Sequence, residues 1–186
     1  MGNTALLVLD IQNGIVPALE NLDPYLERLA QTIKSAREAD IKIIYVTTGF
    51  RPGYPEISPR NLSFVRASKE GSFVEGSTST QVHSAVAPLE GDIIITKHRV
   101  SAFHGTDLDI TLRSLNIDAL VITGMASSGA VLSTVRQAAN MDCSLVVLED
   151  LCTDVRPEFH GVLLQVFEKQ AQLVSSFAWE AGLVKK

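Results

Sequence analysis

Two cysteines in 186 residues, Cys143 and Cys152, are too few for a disulfide framework and form no CxxC ligand pair. Long hydrophobic runs are missing as well. No apolar stretch approaches the roughly 20 residues needed to cross a bilayer, so no membrane partner is expected. The opening Met1-Gly2-Asn3-Thr4 lacks the charged n-region and small-residue cleavage site of a signal peptide. Leu6 stands where a myristoylation signal carries Ser or Thr. Basic charge is scarce: 16 Lys and Arg against 21 Asp and Glu leave a net charge of −5. With no basic stripe interleaved with aromatics, that balance argues against a nucleic-acid partner. What the chain does have is 46% apolar and 20% charged residues, enough to bury a core. The expectation is a soluble, cytoplasmic protein forming one domain over residues 1–186.

Short apolar runs alternate with amphipathic stretches. Ala5–Leu9, Lys42–Thr47, Asp92–Thr96, Ala119–Thr123, Ser144–Leu148 and Gln172–Val174 are apolar on successive residues rather than alternate ones. That is the pattern of strands buried on both faces, as in a parallel sheet. Between them lie helical stretches. Asp23 is the expected N-cap of one, with Pro24 at N1 and Leu26, Leu29, Ala30 and Ile33 on one face. Thr106 is the expected cap of the next, followed by Leu108, Leu112 and Leu115. A third starts at Val131, Leu132 and Val135 and ends where Asn140 takes a left-handed C′ position. Phe159, Val162, Leu163, Val166 and Phe167 line the last. The alternation predicts an α/β fold, a three-layer α/β/α sandwich around a six-stranded parallel sheet. Gly49–Pro88 breaks the rhythm with Pro52, Pro55 and Pro59 and reads as a long irregular insertion: a lid, a binding loop or an oligomer contact.

Ligands of open α/β sheets bind beyond the carboxyl ends of the strands. Asp10 ends the first strand there and Lys97 the third. After the fourth comes the tight turn Gly124-Met125-Ala126-Ser127-Ser128-Gly129-Ala130-Val131, leading into a helix. An Asp after a strand is often only a cap, and a Lys at a strand end is usually solvated. The Gly124–Gly129 spacing resembles a P-loop, but Ala130-Val131 replaces the required Lys-Ser/Thr, and no GxGxxG is present.

Together the three segments carry more. Leu7-Val8-Leu9-Asp10-Ile11-Gln12-Asn13 resembles the N-terminal Asp-x-Gln motif of the isochorismatase-like hydrolase family. Thr96-Lys97-His98-Arg99-Val100-Ser101-Ala102-Phe103, followed by Gly105-Thr106-Asp107-Leu108, is similar to that family's lysine motif. Gly124–Val131 with Ser133-Thr134-Val135-Arg136-Gln137-Ala138 resembles its nucleophile turn, and the cysteine slot falls on Ala130. The resemblance runs over essentially the whole chain. It implies a Rossmann-like strand order 3-2-1-4-5-6, a small-molecule substrate, no cofactor, and a homodimer or homotetramer.

For cysteine members it implies a thiol that attacks a carbonyl carbon of an amide, carbamoyl or ureido compound. The carboxylate at Asp10 is then the general base, and the Lys97 ammonium stabilises the thiolate. Backbone N–H groups of Ala126 and Ala130 form the oxyanion hole, and the Met125–Ala126 peptide is expected to be cis. It also implies substrate-binding roles for Gln12, Phe103 and His104, and for Arg51 or Tyr54 against a substrate carboxylate. The Asp-x-His arrangement of metal-binding members is absent, so no metal is expected. Cys152 and Cys143 read as structural residues, not substitutes for the lost thiol.

A methyl group cannot attack a carbonyl, and three explanations of Ala130 stay open. The first is a Cys→Ala replacement leaving an otherwise intact, substrate-trapping site. The second is isochorismatase-type hydrolysis of a vinyl ether, with Asp10 as acid and no nucleophile. The third is a pseudoenzyme that binds a small molecule or a partner. One geometric question accompanies all three. In the order 3-2-1-4-5-6 the third strand lies ~10 Å from the first, at ~4.8 Å per step, so Lys97 has to lean inward to meet Asp10.

Overall fold

The computed structural model describes residues 3–19 and 22–183. Met1 and Gly2, on which the reading of the N-terminus partly rests, lie outside them. Six parallel strands, β1 (Asn3–Leu9), β2 (Lys42–Thr48), β3 (Ile93–Lys97), β4 (Ile117–Met125), β5 (Ser144–Thr153) and β6 (Gln172–Val174), form one sheet in the order β3-β2-β1-β4-β5-β6. Strand type and order are as expected; β2, β3, β4 and β5 run further toward their carboxyl ends than the apolar runs did, while β1 and β6 end where those runs ended.

Continuous apolarity in β1 follows from its place in the middle. Ala5, Leu7 and Leu9 enter one core cluster while Leu6 and Val8 enter the other, all 0–1% exposed. Each of the Leu and Val side chains, fully buried, contributes about 1.5–3 kcal/mol. The first cluster packs the sheet against α3 (Leu108–Ser114), α4 (Leu132–Asn140) and α5 (Pro157–Phe167) through Leu112, Val135, Ala138 and Phe167. The second packs it against α1 (Leu22–Glu38) and α6 (Ser176–Ala181) through Leu26, Leu29, Ile33 and Trp179. This is the three-layer sandwich.

Local details differ from the sequence reading. Helix α1 already includes Leu22, so Asp23 and Pro24 sit inside its first turn instead of marking its start. Pro is tolerated there because the first N–H groups of a helix have no partner within it. Asp107, not Thr106, is the N-cap residue of α3, although Thr106 Oγ1 still accepts the Leu108 N–H at 3.3 Å. Asn140 is the last helical residue of α4, and the left-handed position falls on Asp142 at φ 60°. Val162 points outward from α5, 63% exposed. The irregular insertion holds a helix, α2 (Leu62–Glu70), which ends on left-handed Gly71 and buries none of its residues. With none of its residues buried, it carries no apolar stripe by which the sequence reading could have placed it.

Candidate active site

At the carboxyl edge of the sheet a cavity of about 630 Å³ is lined by Asp10, Thr48, Lys97, Ala126 and Ala130. Three segments of backbone bring these together. Asp10 leaves β1 in the left-handed conformation (φ 54°), which Asp adopts more readily than most residues, and its N–H donates to Val46 O at 2.8 Å. Lys97 ends β3 in register with Thr48, the last residue of β2. The Lys97 side chain is 2% exposed and reaches across β2, placing Nζ 2.8 Å from Asp10 Oδ2.

Thr48 spans the intervening strand. Lys97 Nζ donates to Thr48 Oγ1 at 2.7 Å, and Thr48 Oγ1 lies 3.0 Å from Asp10 Oδ1. An ammonium has only donors, so the hydroxyl oxygen must accept from Lys97 and point its own hydrogen at the carboxylate. Both Asp10 oxygens therefore accept hydrogen bonds, one from Thr48 and one from Lys97. Gln12 holds the bridge in place. Its amide oxygen accepts the Thr48 N–H at 2.7 Å, and its amide nitrogen donates to Thr48 O at 2.8 Å and Thr80 O at 3.0 Å.

The third segment is the turn after β4. Gly124 stands opposite Leu9 at φ 125°, and any Cβ there would fall inside the van der Waals shell of the Leu9 carbonyl oxygen. Only glycine lets β4 run this close to β1 at the point where Asp10 departs. The Met125–Ala126 peptide is cis, as expected. One wide π turn, Ser127–Val131, then leads into α4, with Ala126 as its N-cap and Ala130 3% exposed. A buried carboxylate fixes the turn: Asp154 Oδ2 accepts from Ser128 N at 2.7 Å and Oγ at 2.6 Å, and Oδ1 accepts from Arg156 N at 3.1 Å.

Asp10, Lys97, Ala126 and Ala130 thus share one cavity. The other predicted residues are not among those lining it. Gln12 clasps backbone. Arg51 pairs with Glu56, and the Tyr54 hydroxyl donates to Ser72 O at 2.9 Å. Phe103 packs in the first core cluster. His104 borders a separate hollow of about 220 Å³ with Glu56, His98 and Arg99. Residues the sequence reading missed take their place: Thr48, and from the insertion Phe64, Arg66, Ala67, Glu70 and Phe73. Thr48 was the findable one, since the order 3-2-1 puts the end of β2 between Asp10 and Lys97.

The two cysteines stay apart from the cavity. Cys152 is buried in the first cluster opposite Gly124, and burial pushes its thiol up strongly. Burial also pushes up the thiol of Cys143, beside Asp109, Asp118 and Asp142. Neither is poised as a thiolate. Among the described residues no group of three or more His, Cys, Asp or Glu is arranged to hold a metal ion, and no helix is long and apolar enough to cross a membrane.

The three-layer sandwich with an acid, an ammonium and a helix-leading turn at one sheet edge is found in a chain whose family is shown by its relatives. The isochorismatase domain model matches residues 4–178, and the chain belongs to that family of hydrolases. It is 31% identical to the ureidoacrylate amidohydrolase RutB of Methylobacterium radiotolerans, over 95% of this chain and 75% of the relative. It is 30% identical to the isochorismatase family protein YecD of Escherichia coli O157:H7, over 85% of this chain and 84% of that one. Among solved structures, an isochorismatase family protein from Burkholderia thailandensis superposes with a TM-score of 0.82 at 26% identity, over 97% of this chain and 95% of the other. The N-carbamoylsarcosine amidase of Thermoplasma acidophilum shares the fold, with a TM-score of 0.74 at 24% identity over 94% and 96% of the two chains.

Proposed function

We propose that the cavity binds a small amide, carbamoyl or ureido compound with its carbonyl carbon over Ala130, where a cysteine hydrolase carries its thiol. The observation that carries this reading is the Lys97–Thr48–Asp10 hydrogen-bond chain sharing one cavity with Ala130. The 31% identity to a ureidoacrylate amidohydrolase supports a ureido or carbamoyl group as the scissile end.

With a thiol at position 130 the chemistry closes on these groups. Asp10 takes the thiol proton, the sulfur attacks the carbonyl carbon, and the N–H groups of Ala126 and Ala130 hold the resulting oxyanion. The proton on Asp10 leaves with the departing amine, and water then cleaves the acyl thioester. Lys97 keeps the buried carboxylate and thiolate compatible in one site. With Ala130 the sulfur step is missing, so the chain binds substrate and does not turn it over.

Vinyl-ether hydrolysis needs Asp10 as a proton donor. The 31% identity to a ureidoacrylate amidohydrolase favours the amidase reading. The test is Ala130→Cys. Ammonia release from a ureido acid by the variant, with calorimetric binding but no release by the parent chain, is the expected result. Turnover of isochorismate by the parent chain would overturn the reading in favour of the vinyl-ether reaction. Binding of neither compound class, with no turnover by either form, would leave a pseudoenzyme.

A further inference from the structure

The cavity has a chemically distinct outer wall. Besides Asp10 and Lys97, which are engaged with each other, the charged residues lining it are Arg66 and Glu70 of α2. Arg66 Nε donates to Glu70 Oε1 at 2.6 Å, one helical turn away, and both side chains face solvent at 84% and 51% exposure. An exposed pair of this kind holds its partners weakly and breaks readily when a better acceptor arrives. The guanidinium is therefore the cation of this cavity that a ligand can recruit. The loop cation expected in that role, Arg51, is not among the residues lining this cavity.

We infer that Arg66 is a specificity residue that grips a carboxylate at the end of the substrate remote from the scissile C–N bond, making small ureido or N-carbamoyl acids, rather than neutral amides, the preferred ligands. The inference rests on the amidase reading and adds the substrate's second functional group. A planar guanidinium binds a carboxylate through two parallel N–H···O bonds. Glu70 competes for Arg66 in the empty site and repels an incoming anion. It thus tunes the affinity downward, and its neutralisation strengthens binding. Helix α2 carries no buried residue, so changes on its outer wall leave the core untouched.

The experiment measures binding to the Ala130 chain by calorimetry, with 3-ureidopropionate and its neutral isostere 3-ureidopropionamide as probes. The acid is expected to bind roughly tenfold tighter than the amide, the scale of a charge-assisted bond discounted for its open position. Arg66→Gln removes that preference and leaves the affinity for the amide unchanged; Arg66→Lys restores part of it, and Glu70→Gln strengthens acid binding several-fold. In the Ala130→Cys background the Arg66→Gln effect falls on KM for the acid and not on kcat, a split that a folding defect does not produce. Equal binding of acid and amide, or a preference that survives Arg66→Gln, overturns the inference while leaving the amidase reading intact. If neither probe binds and the cysteine variant releases no ammonia from either, both fall together.

Discussion

Replacing Lys97 with methionine isolates the energetics of the buried pair. Methionine keeps the length of the side chain and removes the charge, leaving the Asp10 carboxylate, only 7% exposed, with the Thr48 hydroxyl and no ammonium 2.8 Å away. Removing one member of a buried, hydrogen-bonded pair costs about 3–5 kcal/mol, because the remaining charge stays desolvated. For a chain of this size each kcal/mol moves the melting midpoint by about 2–4 °C, so Lys97→Met is expected to lower Tm by roughly 6–20 °C. The control is Asp10→Asn/Lys97→Met, which neutralises the orphaned carboxylate and leaves at most an underused amide. It should be more stable than Lys97→Met alone by about 1–3 kcal/mol. Urea unfolding followed by circular dichroism on the parent, both single variants and the double variant measures the coupling. A loss below about 1 kcal/mol for Lys97→Met, or strictly additive losses in the double variant, would show that the two groups do not depend on each other.

Three further outcomes follow from geometry. Under native conditions iodoacetamide should leave Cys152 untouched, since burial pushes its thiol up, and label Cys143 slowly; a cysteine introduced at position 130, in the cavity that Lys97 also lines, should label fastest, as read by mass spectrometry. Gly124→Ala forces a side chain into the Leu9 backbone at φ 125° and should cost more than about 3 kcal/mol or prevent folding, whereas Gly105→Ala, at φ 72° in open space, should cost about 1 kcal/mol, as thermal melts can compare. Asp154→Ala strips the acceptor from the Ser128 and Arg156 N–H groups and should lower stability by about 1–3 kcal/mol, while weakening ureido-acid binding through the misplaced turn.

The sheet was legible because parallel strands covered on both faces must be apolar at successive positions, as Leu6–Leu9 are. Asp10, Lys97 and the Gly124–Val131 turn were legible because polar residues and glycine interrupt those strands at their carboxyl ends. Thr48 was not, since a threonine ending a strand carries no mark of its own until strand order and register place it between two charges. Arg51 and Tyr54 were assigned to the substrate by the resemblance; neither lines the cavity, and their side chains pair with Glu56 and with Ser72 O. Phe103, assigned to the pocket by the resemblance, packs in the first core cluster and is not among the residues lining the cavity. The outer wall escaped notice because α2, with Leu62 84% exposed, lacks the buried stripe by which helices are recognised.

Because the acid and the ammonium belong to strands that are not neighbours, the hydroxyl that bridges them, beside their direct contact, depends on the alignment of a third. Strand side chains alternate between faces, so a slip of β2 by a single residue would swing the Thr48 hydroxyl away from both charges and present glycine or a reversed threonine instead. The Gln12 amide, gripping the two backbone polar groups of Thr48, acts as a ratchet pawl against that slip. A side-chain amide that clasps backbone therefore governs whether the threonine hydroxyl stays between the two charges.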